Sequence, residues 1–408
     1  MYKIILLFVL LFAGFQNRAQ TPVYLYFASH NEMNDATYHG LNYVNPVHFA
    51  MMRNYVKAVC DTIITYNARY VLQVESNFIL GCLANDNAAT SDTDILQWAD
   101  ATPQIDVEPH NHFKPTTGLG YNPYNYADLA HLLDSCGLPA PRKLMGGFIW
   151  RNFTTPPISE DWTIWQTPQP GHTFTNYYWQ PQFIWGGGSP NHIQDFQAFG
   201  VWQPSAPTVA GFGIHNPAQP LICIGGGCND DFLLTDTTNV TLLGNRIINL
   251  VNYLNANTWP DTAFFSFKIM MNFRNFTSPD FAAKAGQLLQ RLRPYAETGK
   301  FQWKTVNEVY TSWQNLHSDP NDNFVFPCEN IPISNATPPP CNFITSVTGQ
   351  TNVCTDNTVT YSAPFMAGST YLWTVEGGII VSGQGTNIIE VQWNNGIAGS
   401  VSLIHSVE

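Results

Sequence analysis

Between residues 21 and 325, continuous apolar runs alternate with stretches in which apolar positions recur every three or four residues. The runs are VYLYFASHNE, RYVLQVES, PQIDVEPHNH, LMGGFIWRNF, PQFIWGGG, PLICIGGG, FFSFKIMMNF and FQWKTVNEV, each closing on polar residues or glycines. Apolarity at nearly every position predicts strands covered on both faces. The stretches NPVHFAMMRNYVKAVCDTIITYN, YNYADLAHLLDSCG, NRIINLVNYLNANT and SPDFAAKAGQLLQRLRPYAETG predict amphipathic helices. Strands alternating with helices imply a parallel sheet. The number of units predicts an α/β fold, a (β/α) barrel that is seven-stranded or distorted.

The pattern changes at ENIPISNATPPPCNF, where Pro338, Pro339 and Pro340 can neither continue a helix nor donate to a sheet. Beyond it, TYLWTV and IIEVQW alternate between apolar and polar positions, which predicts a small all-β sandwich. The expected organisation is a leader at 1–20, a barrel at 21–325, a Pro-rich linker at 326–343 and a sandwich at 344–408. The sandwich counts one strand short at VSLIHSVE, so truncation at the C-terminus is expected. In the leader, Lys3 precedes the apolar run Ile4–Phe12, which is too short to cross a bilayer and has the form of an export signal cleaved near Ala19. No later stretch has the apolar length of a membrane span. The expected location is secreted or at the cell surface.

Export changes the reading of the eight cysteines, because disulfides are then permitted. Cys328, Cys341 and Cys354, close to the linker, are the expected source of a bridge. No CxxC pair is present, which argues against a structural zinc ribbon. A net charge of −12 disfavours nucleic acid and polyanions as partners. Aromatics outnumber charged residues, 14% against 11%, and flat rings suit a glycan as well as a core.

In a (β/α) barrel the working residues sit at the C-terminal ends of the strands. Those ends carry His30 and Glu32 in SHNE, Glu75 in QVES, and Asp106, Glu108, His110 and His112 in DVEPHNHF. Imidazole nitrogen with carboxylate oxygen is the ligand set of catalytic divalent ions, zinc above all. His30, Glu32, His110 and His112 are therefore the candidate metal ligands; residues two apart in extended backbone, such as His110 and His112, project to one side. An ion so held polarises a carbonyl or acetal oxygen and activates water. Glu75 and Glu108 are candidate bases, with Asp106 as a further catalytic carboxylate or a brace for the loop. Trp150, Arg151, Trp185 and Asp230 are candidate substrate contacts. His215 and Asp231 are outside candidates, and Lys268 and Glu308 fall on late strands. Neither glycine run, 186–188 or 225–227, matches a phosphate loop, and no GxSxG elbow is present.

SHNE on an early strand, PHNH on the third and the glutamate of FQWKTVNEVY together resemble the glycoside hydrolase/deacetylase barrels, which include the polysaccharide deacetylases. The resemblance implies a mononuclear metal that activates water to remove acetyl groups from sugars. In some relatives, paired carboxylates cleave glycosidic bonds instead. The sequence departs from the deacetylases in lacking their early Asp-Asp motif and in spacing its histidines two apart rather than four. Three readings stay open: a metal-dependent polysaccharide deacetylase-like hydrolase, a glycosidase using Glu75 with Glu108 or Asp230, and a glycan-binding surface protein without catalysis.

The C-terminal stretch, with Tyr371, Trp373, Gly377-Gly378, the turn Gly383-Gln384-Gly385-Thr386, Val391 and Trp393, resembles the PKD-like immunoglobulin-type domain common in exported Bacteroidetes proteins. That resemblance implies a spacer or binding module and association with the cell surface or secretion machinery.

Overall fold

Every residue of β1 (Val23–His30) is buried, yet its alternate side chains go to two different places. Val23, Leu25 and Phe27 join the large core packed against helices, whereas Tyr24, Tyr26 and Ala28 join a second, inner cluster. This two-sided burial explains the continuous apolar runs. The computed structural model describes residues 21–31, 42–86, 94–111, 122–139, 142–146, 167–186, 196–206, 209–228, 232–272, 280–317, 319–332, 346–365, 369–394 and 398–407.

After β1 come α1 (Pro46–Thr65), β2 (Tyr70–Val74), α2 (Ser76–Asn85), α3 (Ile95–Asp100), β3 (Ile105–Pro109), α4 (Tyr126–Ser135), β4 (Leu144–Met145) and β5 (Phe183–Gly186). They are followed by β6 (Ala198–Trp202), α5 (Val209–Phe212), β7 (Ile222–Gly225), β8 (Leu233–Leu234), α6 (Val240–Ala256), β9 (Phe265–Asn272), α7 (Asp280–Glu297), β10 (Gln302–Trp303), α8 (Val306–Leu316) and β11 (Phe324–Pro327). The helices begin where the sequence supplies caps. Asn45 precedes Pro46 at the start of α1, and Asn125 with Asp128 closes a capping box on α4.

One sheet runs β3-β2-β1-β9-β8, all parallel, with β10 beside the first half of β1. A second sheet runs β11-β6-β7-β5-β4; β4, β5 and β7 are parallel, β6 runs against them, and β11 runs against β6. Among the described residues, two backbone hydrogen-bonding contacts join the sheets. His110 bridges to Gly146 just past β3 and β4, and the Lys268 amide of β9 donates to the Gly226 carbonyl just past β7 at 3.4 Å. The chain is thus a mixed α/β structure with a parallel sheet, followed by an all-β region.

The pattern of runs did not foresee β6 or β11. Gly200 interrupts the apolar run AFGVW, and its φ of +110° lies where side chains are strained. A Cβ there would lie 1.9 Å from the Phe324 carbonyl oxygen of β11. Gly200→Ala is expected to lower stability by about 2–3 kcal/mol through strain and loss of the β6–β11 pairing. An unchanged denaturation midpoint would sink this account.

Residues 326–328, assigned to the linker on composition, instead pair with β6 and continue into a bridge between Cys328 and Cys228. The pairing of Cys328 corrects the expected bridge within Cys328, Cys341 and Cys354: Cys228 follows β7, which β6 and β11 bring alongside. Cys354 is exposed and free; Cys341 and the leader at 1–20 lie outside the described residues.

In the C-terminal region, β12 (Thr348–Gly349), β13 (Thr358–Ser362), β15 (Gly378–Ser382) and β16 (Ile388–Trp393) form one antiparallel sheet. The other pairs β14 (Ser369–Glu376) with β17 (Ser400–Val407) along their whole length. Tyr361, Tyr371, Trp373, Ile389 and Val391 form the core between them. The turn expected at 383–386 has Gly383 and Gly385 at positive φ, and the Trp373 indole donates to the Thr386 carbonyl at 2.7 Å.

Candidate functional site

The inner face is closed at the starting ends of the parallel strands. Helix α8 places Val306, Val309, Tyr310 and Trp313 in the inner cluster, with Tyr310 stacked on Phe183 and Trp313 edge-on to Phe264. Phe183 opens β5 and Phe264 directly precedes β9. Apolar packing thus occupies most of that end, where Asn307 of the same helix meets Asp106 and Glu108, while His30, Gln73 and His110 lie toward the other.

Strand parity aligns them. His30 shares its face with Tyr26 and Ala28; Gln73 shares its face with Val71; Asp106 and Glu108 lie opposite Ile105 and Val107, which enter the helix-side core. His30, Gln73 and Glu108 are register partners across β1, β2 and β3. His110, one pleat further along, stacks on His30 with ring centroids 3.9 Å apart. Trp185 of β5 meets His30 edge-on at 6.1 Å and donates its indole N–H to the Tyr26 hydroxyl at 2.8 Å. Its ring also lies 3.9 Å from the Lys268 Nζ, a cation–π contact inside the fold.

Glu75 is fully buried where β2 ends and α2 begins. Its amide donates to Asn31 Oδ1 at 2.7 Å, and Asn122 Nδ2 approaches its Oε1 at 3.5 Å while donating to Asn111 Oδ1 at 2.8 Å. An asparagine network therefore ties together the ends of the first three strands. The Tyr43 hydroxyl near this carboxylate is pushed up, mainly by burial and further by the charge of Glu75.

Asp106 and Glu108 reach toward α8. The Asn307 backbone amide donates to Asp106 Oδ2 at 3.0 Å, and its side-chain Nδ2 donates to Glu108 Oε1 at 2.6 Å. Asp106 thus sits at the N-terminal end of a helix, where a carboxylate complements the helix dipole. Burial pushes Asp106 up to about 6, against the bonds from Asn307 and Thr305. Burial, with Asp106 beside it, pushes Glu108 up to about 8, although Arg142 acts the other way.

Of the expected site residues, the structure brings together His30, His110 and Trp185, with Glu108 on the same inner face and Glu75 at the adjoining strand end. Glu32, His112, Trp150, Arg151, Asp230 and Asp231 lie outside the described residues. His215 is elsewhere, bridged to Pro204. Glu308, expected on a strand, is in the first turn of α8, where it completes a capping box with Thr305 and pairs with Arg69 at 3.1 Å. Lys268, expected on a late strand, lies on β9, whereas Gln73, Asn31, Asn111, Asn122 and Asn307 are not among the expected site residues. Gln73 lies two positions before Glu75, so strand parity alone places it on the inner face. Nothing local marks Asn307, which meets Glu108 across 199 positions.

The donor set fits a divalent metal in part. Two imidazoles in contact are suitable nitrogen ligands. Among the described residues, no three His, Cys, Asp or Glu side chains form a group that would hold an ion. Among the same residues, no helix is long and apolar enough to cross a membrane.

Residues 339–406 match the family model of the PKD-like domain. No curated protein matches the chain.

Proposed function

We propose that this chain is an exported, metal-dependent carbohydrate hydrolase of the deacetylase-like kind, with a PKD-like module behind its catalytic unit. The stacked His30–His110 pair, set among Trp185, Glu75 and Glu108, carries the reading. His30 and His110 would hold the ion, with Glu32 and His112 as the further ligands expected from the sequence. A zinc ion held there would supply Lewis acidity for the hydrolysis. Glu75, held by Asn31 and Asn122, is placed to act as the base, and Trp185 would orient the ligand against the imidazoles. Glu108, largely protonated at neutral pH, is suited to giving a proton rather than taking one.

A (β/α) barrel is the fold that suits this reading. Its support is the two joining contacts: with the His110–Gly146 bridge and the Lys268–Gly226 bond, the parallel strands run β1-β2-β3-β4-β5-β7-β9 and back to β1. Export is supported by the Cys228–Cys328 bridge, since such bonds persist in oxidising compartments.

A metal-free glycosidase is the second reading, favoured by one observation: the raised pKa of Glu108 suits an acid, with Glu75 as the second carboxyl group. Elemental analysis separates the two. About one equivalent of zinc is expected in the wild type, with most of it lost in His30→Ala and in His110→Ala. No metal in any of the three, after zinc has been supplied, overturns the first reading.

A further inference from the structure

The PKD-like module is open at one end. Between its two sheets, where β16 stops and β17 starts, lies a cleft of about 680 Å³. Sites for small ligands usually enclose about 300–1,000 Å³. Tyr361 of β13 and Trp393 of β16 enter the cleft from one sheet, and Val401 of β17 enters from the other. The loop from Gln350 to Thr355 forms a further wall.

Backbone bonds hold these walls. The Tyr361 hydroxyl donates to the Gln350 carbonyl at 2.8 Å, the Asp356 amide to the Trp393 carbonyl at 2.9 Å, and the Asn394 amide to the Gly377 carbonyl at 3.1 Å. Glycines seat both rings. A Cβ on Gly349 would lie 2.1 Å from Tyr361 Cδ1, and one on Gly399 would lie 2.1 Å from Trp393 Cζ3. The two rings, 6.1 Å apart between centroids and 73° to one another, are therefore in place before any ligand arrives.

The lining selects by charge. Among the described residues, no charged side chain lines the cleft, whose polar side chains are those of Gln350, Thr351, Asn352, Thr355 and Asn394, with the Cys354 thiol among them. Carboxamides and hydroxyls both donate and accept. Residues 339–406 contain no Lys or Arg, and Asp356 and Glu376 each adjoin a lining residue, so an acidic ligand is disfavoured. A basic peptide would find no carboxylate inside. A wholly apolar segment would leave the carboxamides and hydroxyls unpaired. A sugar ring has apolar faces and a rim of neutral hydroxyls, which is what half-buried Trp393 and its polar neighbours complement.

We propose that this cleft binds a neutral oligosaccharide, with a ring face against Trp393 and the hydroxyls on the surrounding carboxamides and hydroxyls. The module then holds glycan at a second place, apart from the His30–His110 site. Neither zinc nor turnover enters this binding, so it can fail while the hydrolase reading holds, and the reverse.

Cys354, exposed and free in the cleft wall, gives the handle for a test. Calorimetric titration of the full chain uses β-1,4-linked trimers of glucose, of mannose and of xylose, a trimer of galacturonic acid, and a proline-rich peptide. At least one neutral trimer is expected to bind at least about tenfold more tightly than the acidic trimer. Alkylation with a bulky maleimide should weaken that binding at least about tenfold in the wild type and leave it unchanged in Cys354→Ser, which separates Cys354 from every other thiol. Trp393→Leu should weaken it to a similar extent, and alkylation of the folded protein carries the test if that variant does not fold. Binding of no neutral trimer, equal affinity for the acidic trimer, tighter binding of the peptide, or an affinity untouched by alkylation of Cys354 overturns the proposal.

Discussion

Cys328→Ser is expected to destabilise the protein by about 4–5 kcal/mol, the largest single effect foreseen for any residue outside the site. The bridge joins Cys228 to Cys328 across a separation of 100 residues, and the loop-closure entropy it removes from the unfolded chain grows with that length. Its location adds to the effect. Cys228 follows β7, Cys328 follows β11, and β6 lies hydrogen-bonded between those strands, so the bond fastens the antiparallel edge of the second sheet. Ordinary domains unfold with about 5–15 kcal/mol, so the loss takes a large share of the total. Urea unfolding followed by far-UV circular dichroism measures it. Wild type in reductant should superimpose on the variant, and a shared midpoint for oxidised wild type and variant would show that the bridge contributes nothing.

The second large effect concerns pH. Glu108 has a native pKa of about 8 and Asp106 of about 6, both raised by burial. Between the unfolded value near 4.5 and the native value, the folded protein holds a proton on Glu108 that the unfolded chain has released. Stability therefore falls as pH rises through this window, and Asp106 adds a fall of the same sign between about 4 and 6. Glu108→Gln keeps an oxygen for the Asn307 amide and cannot ionise. At pH 9 it should exceed the wild type by roughly 2–4 kcal/mol, with a smaller difference at pH 5. Denaturant midpoints at several pH values, on chelator-treated protein so that no cation offsets the carboxylates, would show converging curves toward acid. Parallel curves would mean that Glu108 ionises normally.

The two predictions share a cause, which is the inner face itself. A carboxyl group is perturbed there because eight strand and helix elements exclude water around it, and the bridge at the sheet edge helps to hold that enclosure together. The asparagine network at the ends of β1, β2 and β3 serves the same purpose locally. It places neutral amide partners beside Glu75 at fixed positions.

Much of this architecture was legible along the chain, for identifiable reasons. Runs such as VYLYFASH and YVLQV are apolar at nearly every position because β1 and β2 are covered on both faces, and that signal is local. Helix α1 is announced by Asn45 and Pro46, and the sandwich by the alternation in TYLWTV and IIEVQW, where Tyr371, Trp373, Ile389 and Val391 point inward. His30 and His110 could be proposed as partners because each stands where an apolar run gives way to polar residues. Other features have no local trace. Gly200 hides β6, since its value lies in how closely Phe324 approaches it. Glu308 resembled a strand-end carboxylate, but capping by Thr305 turned that segment into a helix.

By itself, the sequence determined the alternating strands and helices, the PKD-like module and the inward parity of the polar strand residues, because each depends on neighbours in the chain. Tertiary structure alone decided which cysteines pair, that His30 stacks on His110, that Lys268 rests on Trp185, and that Asn307 joins Asp106 to Glu108. Those contacts span from 80 to 201 positions, and no residue near either partner encodes the distance. They exist because packing two sheets and their helices leaves one place where each side chain can be buried and bonded.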